Sequence, residues 1–482
     1  MTMSLDNIGQ DEWVAQAEAR RAARGPLGRV LDRLAALNPF VVGGVLFALA
    51  ALLPLLTSND YLLRVAGNVC LYSLLALGLN VVVGYAGLLD LGYMAFFGIG
   101  GYGYAMLASN QFGIHLPTPV VLLLMVGVTA LAGLLLGLPS LRLTGDYLAI
   151  VTLGFAQIFV LLTNTMDRVN VPWSSEPVNV TGGPNGITAI DPLHLFGWEL
   201  SSVGSYFYIL LAALALVLLV LRNINQSRVG RAWRALREDT LAAEAMGMPV
   251  RRLKLLAFAI GAAIAGLSGS IFAAWQTAVF ATNFDVALLI TLYAMVVLGG
   301  LGSLPGAVAG AFVLSVIPEL LRGPDTARLL FYGGVIAMIL LLIKPRWRGV
   351  ALLAAVLALG FVVKLVATAL WRESLGAAPA PVSDGLGALA QRWLVFPEHA
   401  TLAGNLLFVA VIGMLMAVSR LQRPNLRFVL LVPTLYLLAF VWETRLAAEP
   451  SVTRLLFLGA ILVLLMTYRP HGLFGKPRVE VM

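Results

Sequence analysis

The apolar runs decide first what this chain can fold into. A helix needs about 20 apolar residues, within a range of about 17–25, to cross the roughly 30 Å of bilayer hydrocarbon. Runs of that kind stand at about 40–57, 64–83, 91–109, 118–137, 146–163, 205–221, 256–276, 286–302, 306–322 and 328–343. A second group follows at about 350–370, 403–419, 426–442 and 453–468. The separations at 84–91 and 302–306 are so short that each reads either as a tight turn or as a break within one helix. The fold expected is all-α: a polytopic integral membrane protein of about ten helices, with about four more toward the C-terminus.

Composition supports that solvent. Only 12% of the 482 residues are charged, half the roughly 25% of a soluble globular chain. The net charge of +8 does not point to nucleic acid, because the arginines sit in short clusters between apolar runs rather than along one face. Cys70 is the single cysteine, which excludes an intramolecular disulfide and any multi-cysteine metal site. His115, His194, His399 and His471 have no ligand spacing, so no metal site is expected. The first thirty or so residues are polar and Arg-rich, unlike a secretory signal peptide.

Loop charge orients the spans. Arg20, Arg21, Arg24, Arg29 and Arg33 place the N-terminal arm in the cytoplasm. Counting from there puts 138–145, 222–255 and 344–349 on the same side, with Arg142, Lys344, Arg346 and Arg348. Arg420, Arg423 and Arg427 also fall inside, as do Arg469, Lys476 and Arg478, so both termini are expected in the cytoplasm. The 164–204 loop lands outside, where Arg168 is outnumbered by Asp167, Glu176, Asp191 and Glu199. The Pro- and Gly-containing stretch 372–401 reads as an external loop.

Catalysis by this chain has little support. It holds no G-x-x-x-x-G-K-[ST] phosphate loop, and no G-x-S-x-G, H-E-x-x-H or C-x-x-C. Four stretches carry what chemistry there is. The segment 78–107, "GLNVVVGYAGLLDLGYMAFFGIGGYGYAML", gathers eight glycines around Asp90. Small residues let membrane helices approach closely, and a Gly-broken helix is tolerated where it lines a cavity; both readings stay open. Asp90 is a functional candidate at membrane depth, or a helix cap if it lies at the end of a span.

"SLRLTGDYLAIVTLGFAQIF" at 140–159 reads as a helix entered at Asp146, a carboxylate placed to suit the helix dipole. Thr152 and Gln157 are polar within that span, and Gln157 either bonds a neighbouring helix or faces a path. "VTGGPNGI" at 180–187 is an external turn cluster, a bland loop or a dock for an external partner.

The fourth stretch is the densest in charge: "GRAWRALREDTLAAEAMGMPVRRLKL", 230–255. Its arginines mark the cytoplasmic side and suit anionic lipid. They do not explain the helix punctuation between them. Asp239 is an N-cap, Gly247 a C-terminal stop and Pro249 follows it, which predicts two turns of helix with Leu241, Ala245 and Met248 on one side. A short small-residue helix of this kind suits a groove on a soluble partner.

Taken in order, "GLNVVVGYAGLLDLGYMAFFGIGGY", "LRLTGDYLAIVTLGF", "TGGPNGI", "GRAWRALREDTLAAEAMGMPVRRLKLLAF" and "VVLGGLGSLPGAVAGA" resemble the LivM-type permease subunits of branched-chain amino acid ABC importers. The ending "YRPHGLFG" at 468–475 is similar to that family's own. The resemblance covers about 60–345 and 453–475. It implies a second, related permease subunit, two cytoplasmic ATPase subunits that bind ATP and Mg, and a periplasmic substrate-binding protein. It implies no cofactor bound by this chain, and a multi-pass place in a bacterial inner membrane.

On that reading 1–38 is a cytoplasmic arm and 39–345 the permease core. Residues 346–452 form an insertion with extra membrane helices, and 453–482 a final helix and tail. "RLLFYGGVIAMILLLIKP" at 328–345 echoes "RLLFLGAILVLLMTYRP" at 454–470, either as a displaced duplicate or as chance likeness of Leu-rich helices.

The resemblance also implies site roles. Asp239, Thr240, Leu241, Ala242, Ala243, Glu244, Ala245, Met246 and Gly247 fall on the importer coupling motif, E-A-A, three residues, then G, although Leu241 stands where the acid usually is. Candidates for the translocation path are Asn80, Tyr85, Asp90, Thr152 and Gln157. Candidates for docking the binding protein are Thr181, Gly182, Gly183, Pro184 and Asn185. The function expected is ATP-driven alternating access for branched-chain or related amino acids. The alternatives are an importer for urea or short amides and an ion-coupled secondary transporter. The latter is disfavoured because, apart from Asp90 and Lys364, buried ionisable residues are scarce in these spans.

Overall fold

Helices form where the apolar runs require them. The computed structural model describes residues 39–448 except 141–142, 144, 171–176, 196–197, 344, 371–375, 377–387, 389–390 and 422–423, and beyond 448 only 459, 463 and 472–474. The Arg-rich arm 1–38 and, but for two positions, the run at 453–468 with its echo lie outside the described residues.

The first part of the chain runs α1 (Pro39–Leu56), α2 (Asp60–Leu79, continued by a π-helical turn at Asn80–Tyr85), α3 (Tyr93–Leu107), α4 (Thr118–Ser140), α5 (Asp146–Thr165) and α6 (Val203–Gln226). Two short helices follow, α7 (Arg228–Glu238) and α8 (Thr240–Ala245). Then come α9 (Val250–Gln276), α10 (Val286–Gly299), α11 (Leu304–Leu320) and α12 (Pro324–Leu342). The C-terminal part holds α13 (Arg346–Leu370), α14 (Ala400–Arg420) and α15 (Pro424–Ala448). Among the described residues eight helices are long and apolar enough to cross a membrane: α2, α4, α5, α6, α9, α10, α13 and α15.

Two runs differ from simple spans. The run read at 91–109 becomes a 15-residue helix, because 86–92 is irregular. At about 1.5 Å per residue that helix falls short of the hydrocarbon thickness. The runs at 306–322 and 328–343 become α11 and α12, which meet at 116° across 321–323 instead of turning back as a hairpin. Pro318 inside α11 and Pro324 at the start of α12 bracket the bend.

The connections gather at two ends. At one, three two-stranded ladders pair β1 (Ala108–Ser109) with β2 (Ile114–His115), β3 (Ile187–Thr188) with β6 (Ala278–Val279), and β4 (Leu193–Leu195) with β5 (Trp198–Leu200). His115 Nδ1 lies 2.5 Å from Asp191 Oδ2 there. At the other end lie α7, α8, the π turn and the 300–303 connection. Each end collects the connections that the span count assigns to one side.

Glycine lets the central helices touch. α9 runs between α3 and α4, and a Cβ on Gly100 of α3 would stand 2.3 Å from the Gly266 carbonyl oxygen of α9. On Gly266 it would stand 2.1 Å from Thr129 Oγ1 of α4. Ser270 Oγ donates to the Gly100 carbonyl at 3.1 Å across the same contact. Hydrophobicity does not drive helix association within lipid tails, so close van der Waals contact and interhelical hydrogen bonds supply it. α10 and α11 meet in the same manner, with Gly299 against Gly306 and Gly310 against Met295.

The C-terminal helices pack differently. Trp393, Phe396, Val411, Tyr436 and Phe440 form a core of their own. Its join to α12 is made by Phe331 stacked on Trp442, ring centroids 4.3 Å apart, and by a buried ion pair. Arg328 Nε lies 3.2 and 3.1 Å from the two Glu443 carboxylate oxygens, both side chains are 1% exposed, and Tyr332 donates to the same carboxylate at 3.1 Å. Sequence reading missed this pair because Arg328 begins one apolar run and Glu443 just follows another. Lys364, which it singled out, gives its ammonium to the Arg392 carbonyl.

Candidate coupling site

α8 is fixed at both ends by backbone chemistry. Asp239 Oδ1 accepts from the amides of Leu241 at 2.8 Å and Ala242 at 3.0 Å, satisfying two donors that a helix start leaves bare. At the far end Gly247 has φ +75°, its amide donates to Glu244 at 2.9 Å, and the Met248 amide donates to Ala243 at 3.1 Å. That bond pair is a Schellman stop, for which glycine has no Cβ penalty. Six residues alone are too few to hold a helix in water; the caps and the seat beneath it do so. Ala243 is 3% exposed against that seat, whereas Leu241 and Met246 are 79% and 81% exposed. The outward apolar pair is therefore Leu241 and Met246. Met248, read as its companion, packs against the core instead.

α7 joins α8 to the membrane helices. Its buried side is Gly230, Trp233 and Leu236, while Arg231 and Arg234 are exposed. The Trp233 indole donates to the Leu253 carbonyl in the first turn of α9 at 2.9 Å. Its ring stacks on Tyr85 of the π turn, centroids 6.4 Å apart and planes 10° from parallel. Arg237 Nη1 donates to the Gly84 carbonyl at 2.5 Å.

The two short breaks seen in sequence form one joint. Asn80, fully buried, accepts from the Gly302 amide at 2.8 Å and donates to the Ser303 carbonyl at 3.4 Å. A Cβ on Gly84 would stand 2.6 Å from the Gly302 nitrogen, so no other residue fits without a shift. The C-terminal motif reaches the same place: the Leu473 amide donates to Leu298 at 2.8 Å and the Phe474 amide to Gly299 at 2.9 Å.

The other path candidates are divided. Tyr85 lies under Trp233. Asp90 and Thr152 come together: Asp90 is fully buried, its Oδ1 accepts from the Gly92 amide at 2.8 Å, and Thr152 Oγ1 accepts from the Leu91 amide at 2.9 Å. Tyr293 donates to the Asp90 carbonyl at 2.5 Å, and Asp90 Oδ2 has no hydrogen-bond partner. Asp90 thus bonds the amide just before α3 and also brings one unpaired oxygen into the core. Gln157 stands apart, on an exposed face of α5 with Ile158 and Leu161.

The docking candidates sit at the opposite end from α8 and are largely buried. Thr181 Oγ1 donates to the Thr163 carbonyl at 2.7 Å, and the Gly182 amide to Asn179 Oδ1 at 2.7 Å. Gly182 and Gly183, with φ of +73° and +58°, turn the chain into the short 3-10 element Gly183–Asn185. Pro184 and Asn185 alone of the five are exposed.

Sequence reasoning missed the working parts of the joint. Asn80 is visible in sequence only as a polar residue within an apolar run, and its partners lie 222 and 223 residues away. Arg237 was counted only as topological charge. An arginine one turn behind a helix cap was the available signal.

Comparison with known proteins gives the chain's family. The model of the family described as branched-chain amino acid transport system / permease component matches residues 61–344. The high-affinity branched-chain amino acid transport system permease protein LivM of Escherichia coli (strain K12) is 40% identical over 335 residues, covering 64% of this chain and 73% of that protein. LivM of Salmonella typhimurium is 41% identical over 314 residues, covering 60% and 69%. The high-affinity branched-chain amino acid transport system permease protein LivH of Escherichia coli (strain K12) is 26% identical over 261 residues, covering 52% and 81%. No solved structure matches the chain. The family match ends at 344, at the foot of α12 and before the C-terminal helices begin. The chain is a multi-pass membrane protein, and it belongs to the family of permease components of branched-chain amino acid transport systems.

Proposed function

We propose that this chain forms one half of the translocation path of an ABC importer for branched-chain amino acids, beside a second permease related to it. Of two ATPase subunits one docks on α8 and the other on the second permease, a binding protein delivers substrate at the opposite end, and the chain itself hydrolyses nothing. The carrying observation is α8 itself: a helix capped at Asp239 and stopped at Gly247, with Leu241 and Met246 turned outward. Among the described residues nothing covers those two side chains, and exposed apolar side chains on a rigid two-turn helix suit a partner's groove. Arg231, Arg234, Arg251 and Arg252 around α8 support a cytoplasmic reading of that end by the positive-inside rule.

The mechanism follows from that contact. ATP binding draws the ATPases together and displaces α8. The spans then rock between outward- and inward-facing states. Moving such an equilibrium from 1:99 to 99:1 takes a difference of about 5.5 kcal/mol in favour of one state. A capped helix seated on Ala243 transmits such a load better than a loose loop. Asp90, Thr152 and Gln157 remain the polar groups for the path, and Pro184 and Asn185 the external contact. The substrate carries one charge of each sign on an apolar body, so a path poor in fixed charge suits it.

The test is uptake of radiolabelled leucine into vesicles holding the complete importer. Uptake needs ATP on the ATPase side and the loaded binding protein on the other. Saturation by urea or acetamide instead of leucine moves the assignment to the short-amide reading. Uptake driven by a proton or sodium gradient without ATP rejects the importer altogether.

A further inference from the structure

We propose that Arg237 is the positioning residue that couples α8 to the broken spans. The inference rests on the assignment of α8 as the ATPase contact and adds how movement leaves it. Arg237 sits in the last turn of α7, two residues before the Asp239 cap, so α8 and Arg237 shift together. Its guanidinium reaches the Gly84 carbonyl at 2.5 Å, where the π turn ends and α2 gives way to irregular backbone. The last carbonyls of a helix have no partner within it, and an arginine supplies a donor that stays charged at any physiological pH.

The surroundings hold the side chain on several sides. A Cβ on Gly87, where φ is +70°, would stand 3.0 Å from Arg237 Cγ and 3.3 Å from its Cα and Cβ. On Gly302, where φ is +79°, a Cβ would stand 2.7 Å from Nη1. Gly87 and Gly302 thus leave the room that the side chain occupies, Gly84 supplies the carbonyl at its tip, and the three belong to two different breaks. Asn80 fastens those breaks to each other through the Gly302 amide and the Ser303 carbonyl. Displacing α8 therefore pushes Gly84 and Gly302 together, so α2 and the α10–α11 pair answer as one joint.

Trp233 plays a different part. Its indole bond to Leu253 and its stack on Tyr85 fix where α7 lies on α9 and α2. Arg237 is the contact that reaches the point where both spans can bend.

The experiment uses the complete importer in vesicles, with leucine uptake and ATP hydrolysis measured on one preparation. The wild-type and Leu241→Asp complexes come first. Failure of Leu241→Asp to release the ATPases strikes the coupling-helix assignment, apart from anything Arg237 does. Arg237→Met is then expected to keep its ATPases and go on hydrolysing ATP. Leucine carried per ATP falls by about tenfold, the loss expected of one charge-assisted hydrogen bond. Arg237→Lys, which keeps one donor for one carbonyl, recovers at least about half of the wild-type ratio. Gly302→Ala, which crowds the guanidinium from the far side, lowers the ratio in the same direction. An unchanged ratio in Arg237→Met, or a lysine variant no better than methionine, overturns the proposal. So does an Arg237→Met complex that fails to assemble, since that makes Arg237 a residue of the fold alone.

Discussion

The permease core and the C-terminal helices solve the same problem by opposite means. In the core, α3, α4 and α9 touch backbone to backbone because Gly100, Gly133 and Gly266 leave room for it. Large side chains there meet at tilted and edge-on angles in the gaps between, as Phe97, Phe272 and Phe284 do. At the join of α12 with α15 the order is reversed: bulky rings face each other, and a buried charge pair, Arg328 with Glu443, fixes the register. Close packing between small residues leaves many weak, distributed contacts. Such an interface can give slightly without losing any one essential bond. A buried ion pair is nearly all-or-none, because either partner alone is a bare charge away from water. On the proposed function the difference suits two tasks: a core that bends at its breaks, and C-terminal helices held to it as a fixed attachment.

The contrast can be broken most sharply at the ion pair. Glu443→Leu leaves buried Arg328 only the exposed Asp325, 3.4 Å from its Nη1, as counter-charge and costs about 3 kcal/mol, read as a loss of folded protein in detergent melts. Adding Arg328→Met restores most of it, since an apolar pair replaces both charges. A single variant as stable as the wild type shows that the charges are not coupled. Next in size is Gly100→Val, which drives side-chain atoms into the Gly266 backbone and costs about 1–3 kcal/mol or more by overpacking. Its melt falls and its uptake falls with it, while Gly154→Ala on α5, where an added Cβ meets open space, melts like the wild type.

Smaller effects test the short helices. Asp239→Ala removes the cap of α8 and costs about 1 kcal/mol locally. That weakens ATPase binding by about fivefold with the overall melt unchanged. Trp233→Phe keeps the stack on Tyr85 and loses the bond to Leu253, about 0.5–1.5 kcal/mol. Gln157→Leu, on an exposed face, leaves stability within about 0.5 kcal/mol and changes uptake only if that face borders the path.

Much of this was legible in sequence because bilayers impose length. The spans, their grouping by end and the two interruptions follow from apolar runs and basic clusters. The caps of α8 follow from Asp239 and Gly247, since capping is local chemistry written within a few residues. What was not legible depends on pairs far apart in the chain. Asn80 looked like a polar residue for a path and is a fastener between two breaks. Arg237 looked like one more inside charge. Arg328 and Glu443 each fell at the margin of an apolar run, where charge is ordinary, and only their meeting makes them unusual. The bend of 116° between α11 and α12 likewise cannot be read from either apolar run, although Pro318 and Pro324 bracket it.

The central claim is that α8 is where an ATPase holds this permease, and it is tested most directly by co-purification. The complete importer is solubilised by way of a tag on this chain, and the ATPase recovered per permease is measured for the wild type and for Leu241→Asp with Met246→Asp. Both side chains are outward and far from the core, so the variant is expected to fold and to keep its second permease while losing at least about nine-tenths of its ATPase, a change of about 1.4 kcal/mol or more. Full recovery of the ATPase with the doubly substituted helix contradicts the account.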